Sequence, residues 1–332
     1  MWTLAELSKI ETDILRKSVI DTLIMESNLM ELCPWETTGQ LSVGVIRIQD
    51  LPSVGFRRIN GAYDSTDIGH FEHKVENISL FGRDIDTDEA IARAKNTIAD
   101  ARAIQQTLTL KAMAYAFNDK FINGKVTADA PLEFNGLRER VDKIAATVAS
   151  GGEGLTSQKI DAACGGVGIL NSSAASQTFL DKLYALIYAI KGHAPDYLLM
   201  NAKMFQAIQS ILRREKLLNT TQDMFGRVID TFMGARLIDI GVKADQLTEI
   251  ILNTETTDGL PGGSECTSIY AIKFSVGDMT WGIQEFPLEV KDMGELESKP
   301  AYRTRVTWNL GLSTVDPRSV ARLYDIVPDA SS

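Results

Sequence analysis

The sequence predicts an α+β fold, because the helical and the alternating hydrophobic periods fall on separate stretches. Residues 86–124 read as one long helix. Residues 302–312 alternate strictly. Tyr302, Thr304, Val306, Trp308, Leu310 and Leu312 fall on one face, and Arg303, Arg305, Thr307 and Asn309 on the other. Between them the order is helix, strand, helix. An apolar helix runs from Thr178 to Gly192, a short buried strand from Tyr197 to Met200, and an amphipathic helix through NAKMFQAIQSILRREKLL.

Residues 3–31 read as one amphipathic helix or two short ones, with Leu4, Leu7, Ile10, Ile14, Ile20, Leu23, Ile24 and Met30 as the apolar positions. Cys33-Pro34-Trp35 separates this segment from the rest, so it reads as an arm. Helices of this length are marginal alone, so the arm has to dock against something. Leu7, Ile10 and Ile14 lack partners in their own segment and are its expected contacts.

Residues 41–82 read as β. Leu41, Val43, Val45, Ile46 and Ile48 begin a strand that Val54, Phe56 and Ile59 continue. Asn60-Gly61 opens a turn-rich tip through Ser65, and FEHKVENISLFG returns. The outer residues, among them Arg57, Arg58, Glu72, His73, Lys74 and Glu76, show no consistent apolar face. A hairpin that buries no face is not stable alone and needs a partner.

In the long helix Asp86 and Glu89 fit an N-cap with a capping box, and Asn123-Gly124 supply a stop. Ile91, Ala94, Ile98, Ala101, Leu108, Ala112 and Tyr115 recur at three-and-four spacing, with Gln105 as the polar break. At 1.5 Å per residue the helix would be about 55 Å long, a spine and not part of a compact ball. SGGEG at 150–154 reads as a flexible break, and DGLPGG at 258–263 as a turn. The last third is mainly strand: Leu247–Asn253, Ser268–Phe274, Thr280–Phe286 and Tyr302–Leu312.

Composition narrows the function. The 332 residues suffice for two domains, and 44% hydrophobic content argues against wholesale disorder. A formal charge of -10 argues against a dedicated nucleic-acid binder. No run approaches a membrane span, and the acidic start has no apolar core of a signal peptide. Cys33, Cys164 and Cys266 have neither disulfide nor zinc spacing, so reduced thiols are expected.

Chemistry-bearing motifs are few. GGVGILNSS at 165–173 lacks the Gly-Lys-Ser/Thr end of a phosphate loop and reads as a plain flexible loop. His70 and His73 are three apart on a strand, hence on opposite faces. His193 follows a helix end, where a capping role is favoured over catalysis. G-x-S-x-G, H-E-x-x-H and the dinucleotide fingerprint are all missing. No enzyme activity, cofactor or metal is expected.

An arm, a polar hairpin, a spine helix and a separate α/β part all imply contacts outside the monomer. In this order the chain resembles the major capsid proteins of tailed phages, the Hong Kong ninety-seven type capsid fold. The segments that carry the resemblance are PLEFNGLRER, ALIYAIKGHAPDYLLMNAKMFQAIQSILRR, and the end from SIYAIKF to RSVARLYDI. The resemblance implies an N-arm (1–40) and an E-loop hairpin with flanking strands (41–85). A P-domain spine helix (86–135), an A-domain (136–290) and a P-domain return strand with the C-terminus (291–332) follow.

The implied function is a structural protein of the virion. It assembles as hexamers and pentamers into an icosahedral shell around double-stranded DNA, in the host bacterial cytoplasm. A separate scaffolding protein, a portal and a decoration protein are the partners implied. An acidic wall suits a shell that encloses DNA without gripping its phosphates. Phe56, Arg57, Arg58 and Lys74 are the implied E-loop contacts. Family members that cross-link use a Lys on the E-loop; here Lys74, the only Lys between Leu51 and Phe81, lies away from the tip, so covalent cross-linking is not expected. The alternatives are an encapsulin-type nanocompartment shell and a soluble two-domain α/β enzyme.

Overall fold

The computed structural model describes residues 27–48, 52–63, 71–90, 101–127, 132–150, 152–217, 219–222, 228–263 and 265–329. Leu7, Ile10, Ile14, His70 and the helix positions Ile91, Ala94 and Ile98 lie outside them.

Strand β13, Ala301–Thr314, organises one sheet. Its alternation works as the sequence predicts: Thr304, Val306, Trp308, Leu310 and Leu312 are buried. Antiparallel to it on one side lies β4, Ser79–Asp88. Strands β11, Thr280–Gln284, and β12, Glu289–Glu295, also pair antiparallel with it. Strand β1, Trp35–Thr37, joins β11 in parallel and completes five strands. Among the described residues, strands β2, Ser42–Ile48, and β3, Phe71–Asn77, pair only with each other.

The second sheet has seven strands. At its centre β10, Thr267–Ile272, is wholly buried between β6, Tyr197–Met200, and β14, Val320–Ile326. Helices Ser173–Ala189 and Ala202–Arg214 supply apolar faces that pack with it in one core. Each begins at a capping side chain, Ser172 accepting from Ala175 N and Asn201 from Met204 N. A second core joins both sheets through the helix Ala101–Asn123.

Several expectations need correction. Asp86 is no helix cap; it lies in β4, where its carboxylate binds Arg303. Asp88 instead accepts from Ala90 N. The buried stripe of the helix Ala101–Asn123 is Leu110, Met113, Ala114, Phe117 and Phe121, while Leu108 is exposed and Tyr115 half-buried. Counting alanines as apolar had marked the wrong face. Gln105, the break in the expected stripe, accepts a hydrogen bond from Thr87 at 2.8 Å. The stop at Gly124 stands: its N–H returns to Lys120 O, and a Cβ there would meet Phe134 O at 2.5 Å.

Cys33-Pro34-Trp35 is not a break. Ser27 caps the short helix Asn28–Leu32, and Leu29, Met30, Cys33 and Trp35 are buried in the central core. Trp35 lies 4.7 Å from Trp308 between ring centroids, a contact worth about 0.5 to 1.5 kcal/mol beyond its burial. The strand expected at Leu247–Asn253 is irregular backbone with one bridge, Val242 to Glu249. A hairpin upstream takes that role: Val228–Phe232 and Ala235–Asp239, turned by Met233 and Gly234 at positive φ. Val320–Ile326, grouped in sequence with the return strand, belongs to the seven-stranded sheet.

SGGEG is not a flexible break either. The N–H groups of Gly152, Glu153, Gly154 and Leu155 donate to Thr147, Lys143, Ala146 and Ile144 carbonyls around the end of the helix Leu137–Ala145. The 165–173 loop is likewise tied down, Ile169 N donating to Val327 O and Ser176 Oγ to Ile169 O.

Candidate assembly surface

The hairpin and the stretch beyond it carry a run of exposed apolar side chains. Val54, Phe56 and Ile59 each keep more than nine-tenths of their surface exposed, and Tyr63 and Phe71 about seven-tenths. Exposed apolar residues scattered singly are ordinary, but a cluster on one projecting segment marks an interaction surface. Pro52–Arg58, expected as strand, has no regular structure. Arg58 O accepts from Gly61 N at 3.0 Å, and Asn60 has φ of 64°, so Asn-Gly turns the chain as expected.

Three of the four expected hairpin contacts sit on this segment. Phe56 is fully exposed. Arg57 donates to Gly61 O at 3.2 Å and stacks 4.9 Å from the Tyr63 ring centroid, which holds its guanidinium in place. Arg58 is exposed. Lys74 stands apart, half-buried at the hairpin root, 3.4 Å from Glu153. Sequence reasoning missed the groups around it. Glu76, counted among the outer residues, is buried and forks onto Arg140 at 2.7 and 2.9 Å. Arg47, also buried, bonds Glu153 and Thr314 O. A charged residue in a strand gives no sequence sign of burial; only the partner across the fold does.

A second surface lies between β4 and the helix Ala101–Asn123. There a groove of about 330 Å³ is lined by Arg83, Asp86, Gln105 and Leu108 among others. Leu80 and Leu108 are exposed beside it. Its acids are already matched: Arg303 and Lys299 hold the Asp86 carboxyl well below the usual carboxylate range.

The remaining polar groups are structural. Burial pushes the Cys33 thiol up to about 12, and burial with the bond to Asp325 does the same for Cys266. Such thiols are poor nucleophiles. His193 Nδ1 lies 2.9 Å from Tyr188 O at the end of its helix, the place expected for a cap. Among the described residues no group of three His, Cys, Asp or Glu side chains could hold a metal. No described helix is long and apolar enough to cross a membrane.

No family model and no curated protein matches the chain in sequence. Solved structures do match in fold. The SrpI encapsulin of Synechococcus elongatus, in its holo complex, aligns over 92% of this chain and 88% of its own, with TM-score 0.62 and 16% identity. The capsid of a native GTA particle aligns over 91% and 90%, with TM-score 0.60 and 14% identity. The chain has the Hong Kong ninety-seven type capsid fold. A chain of Mycobacterium phage Bobi agrees over 93% and 91%, with TM-score 0.54 and 12% identity. At such identities the capsid fold is shared while almost every side chain differs. The contacts of this capsid-fold chain therefore have to be read from its own geometry.

Proposed function

We propose that the chain is a major capsid protein, assembling as hexamers and pentamers into an icosahedral shell around phage double-stranded DNA. The observation that carries this reading is the hairpin segment. In a chain with the capsid fold, Val54, Phe56 and Ile59 stand in solvent on a projection whose own strands pair with nothing else. A neighbouring copy is the surface that would cover them. On this reading residues 41–88 are the E-loop with its flanking strands, 89–135 the spine segment, 136–290 together with Val320–Ile326 the A-domain, and 291–319 the return segment. The N-arm, expected over residues 1–40, ends before Ser27 on this reading, with Leu7, Ile10 and Ile14 as contacts. The role is structural and not catalytic. Scaffold, portal and decoration proteins are its natural partners, and the host cytoplasm its place of assembly.

A second reading is a nanocompartment shell, favoured by the encapsulin match at TM-score 0.62 over 92% of the chain. Electron microscopy of the expressed protein, with any scaffold supplied, tests both. Shells are expected. A compact monomer at micromolar concentration overturns both readings. Shells found in infected or lysogenic cells with nuclease-protected DNA support the capsid; small shells with protein cargo and no DNA support the compartment.

A further inference from the structure

We propose that a crossed set of buried and partly buried ion pairs along the hairpin ribbon is a latch that fixes the direction of the hairpin within each subunit. The inference rests on the shell reading for its purpose and on the geometry for its existence. The β2–β3 ribbon pairs with neither sheet. Two-stranded ribbons are marginal and set no angle of their own. Apolar contact with the body is limited to one face near the root, where Ile78 and Val43 meet Trp281 and Ile283 and Val45 is buried. Beyond the root Ile46, Phe71 and Val75 are exposed.

Charge does the rest. Both hairpin strands reach the body through ionic side chains of opposite sign. From β2, Arg47 bonds Glu153, and its Nε donates to Thr314 O at 2.9 Å. From β3, Lys74 reaches Glu153 at 3.4 Å, and Glu76 receives the fork of Arg140. Arg140 is itself fixed, donating to Asn135 O at 2.9 Å and Leu312 O at 2.6 Å. Glu153 is carried on the tied-down 152–155 turn.

The arrangement encodes one position. Lys74 and Glu76 are two apart on a strand and share a face. Sliding the ribbon by that step would set Lys74 against Arg140, like charge on like charge, inside a partly desolvated joint. A cavity of about 80 Å³ remains among Arg47, Lys74, Glu76 and Arg140. The joint is thus packed around Val43 and Val45 but open among the charges, and the angle depends on the pairs.

Spin-label distances test it. Labels at Ala62→Cys and Lys291→Cys, in a Cys164→Ser background, report hairpin against body. The labelled chain is diluted into unlabelled chain, so the distance stays within one subunit in monomers and shells alike. The unaltered latch should give one narrow distance. Glu153→Gln should add a second population of about a tenth or more, and Glu153→Asp, which keeps the charge, should add less. Lys74→Gln, at a partly exposed site where folding is not at stake, should broaden the distance in the same sense. Identical distributions in all variants overturn the latch, whether or not shells form. Altered distributions in a chain that never forms shells leave the latch standing and overturn the shell reading.

Discussion

Arg303 holds Asp86 in a fork, Nε donating to Oδ1 at 2.7 Å and Nη2 to Oδ2 at 2.8 Å. Two residues along each strand Arg305 repeats the grip on Asp84 at 2.7 and 2.8 Å. The antiparallel register places each pair directly opposite, so β4 and β13 are joined by charge on the outer face as well as by backbone.

This ladder has a pH signature. The hydrogen bonds from Arg303 and Arg305 hold the Asp86 and Asp84 carboxyls below their usual range. A depressed folded value contributes stability above the unfolded pKa of about 3.9 and loses it as pH falls through the folded value. The melting-temperature gap between the wild type and Asp84→Asn with Asp86→Asn should be steady from neutral pH to about 5 and close below about 4. High salt should narrow it, because these pairs are exposed. A gap that persists unchanged in strong acid would assign the loss to something other than the ionised ladder.

A second ion-pair group is buried and should weigh more. Glu255 has no exposed surface; it meets Arg138 at 2.5 Å and Arg322 at 3.1 Å, and Arg322 also donates to Gly259 O. Glu255→Gln leaves buried Arg322 with no carboxylate nearer than Asp142, 4.0 Å away, among the described residues. A loss of about 3 to 5 kcal/mol is expected, as a lower denaturant midpoint with unchanged slope. A midpoint that does not move would mean that Ser268 and Gly259 O suffice for that guanidinium.

The boundary of the N-terminal arm can be set by deletion. Leu29, Met30 and Trp35 are core, so removing residues 1–26 should leave a folded chain that forms no regular shell. Removing 1–37 should abolish folding. Trp35→Ala alone should cost about 3 to 5 kcal/mol. Near-equal thermal stability of the two truncations would remove residues 27–37 from the core, and normal shells from the shorter truncation would remove the arm from assembly.

At the hairpin, Phe56→Ser and the pair Arg57→Glu with Arg58→Glu change exposed side chains. Each should change monomer stability by no more than about 0.5 kcal/mol. Each should weaken or abolish shells, read by sedimentation and microscopy, because a small contact energy repeats at every copy. Wild-type yield and shell stability in both variants would make these residues bystanders. Because Lys74 is engaged with Glu153, boiled particles should run as single chains on a denaturing gel; a covalent ladder would contradict this.

Strands and helices whose signal is local were legible in the sequence. The alternation of Tyr302–Leu312 and the amphipathic helix through NAKMFQAIQSILRREKLL both stand, the latter burying Met204, Ile208, Ile211 and Leu212. What escaped depended on distant partners. Trp35 looked like part of the separator behind the arm because its neighbours Trp308 and Gly282 lie near the other end of the chain. Alanine misled the face of the long helix, since Ala packs in or out with little preference. Glu153 looked like loop filler among glycines, and its role needs Arg47 and Lys74 brought across the fold. Of the assembly surface, the hairpin and its Asn60-Gly61 turn were readable; its buried root was not.

The pairing of β1 with β11 bears on how the chain reaches its final form. Thr37 and Gln284 are hydrogen-bonded across 247 residues of sequence. Non-local pairing of this kind folds slowly, because the loop must close before any contact rewards it. During synthesis Leu29, Met30 and Trp35 leave the ribosome early. Phe117, 5.7 Å from the Trp35 ring, emerges in the first half of the chain, but Trp308 and Gly282 leave near the end. Until then the apolar stretch at 29–35 has only part of its native surroundings. The newborn chain therefore stays open to aggregation until its last fifty residues appear, and it closes from the back of the chain onto the front.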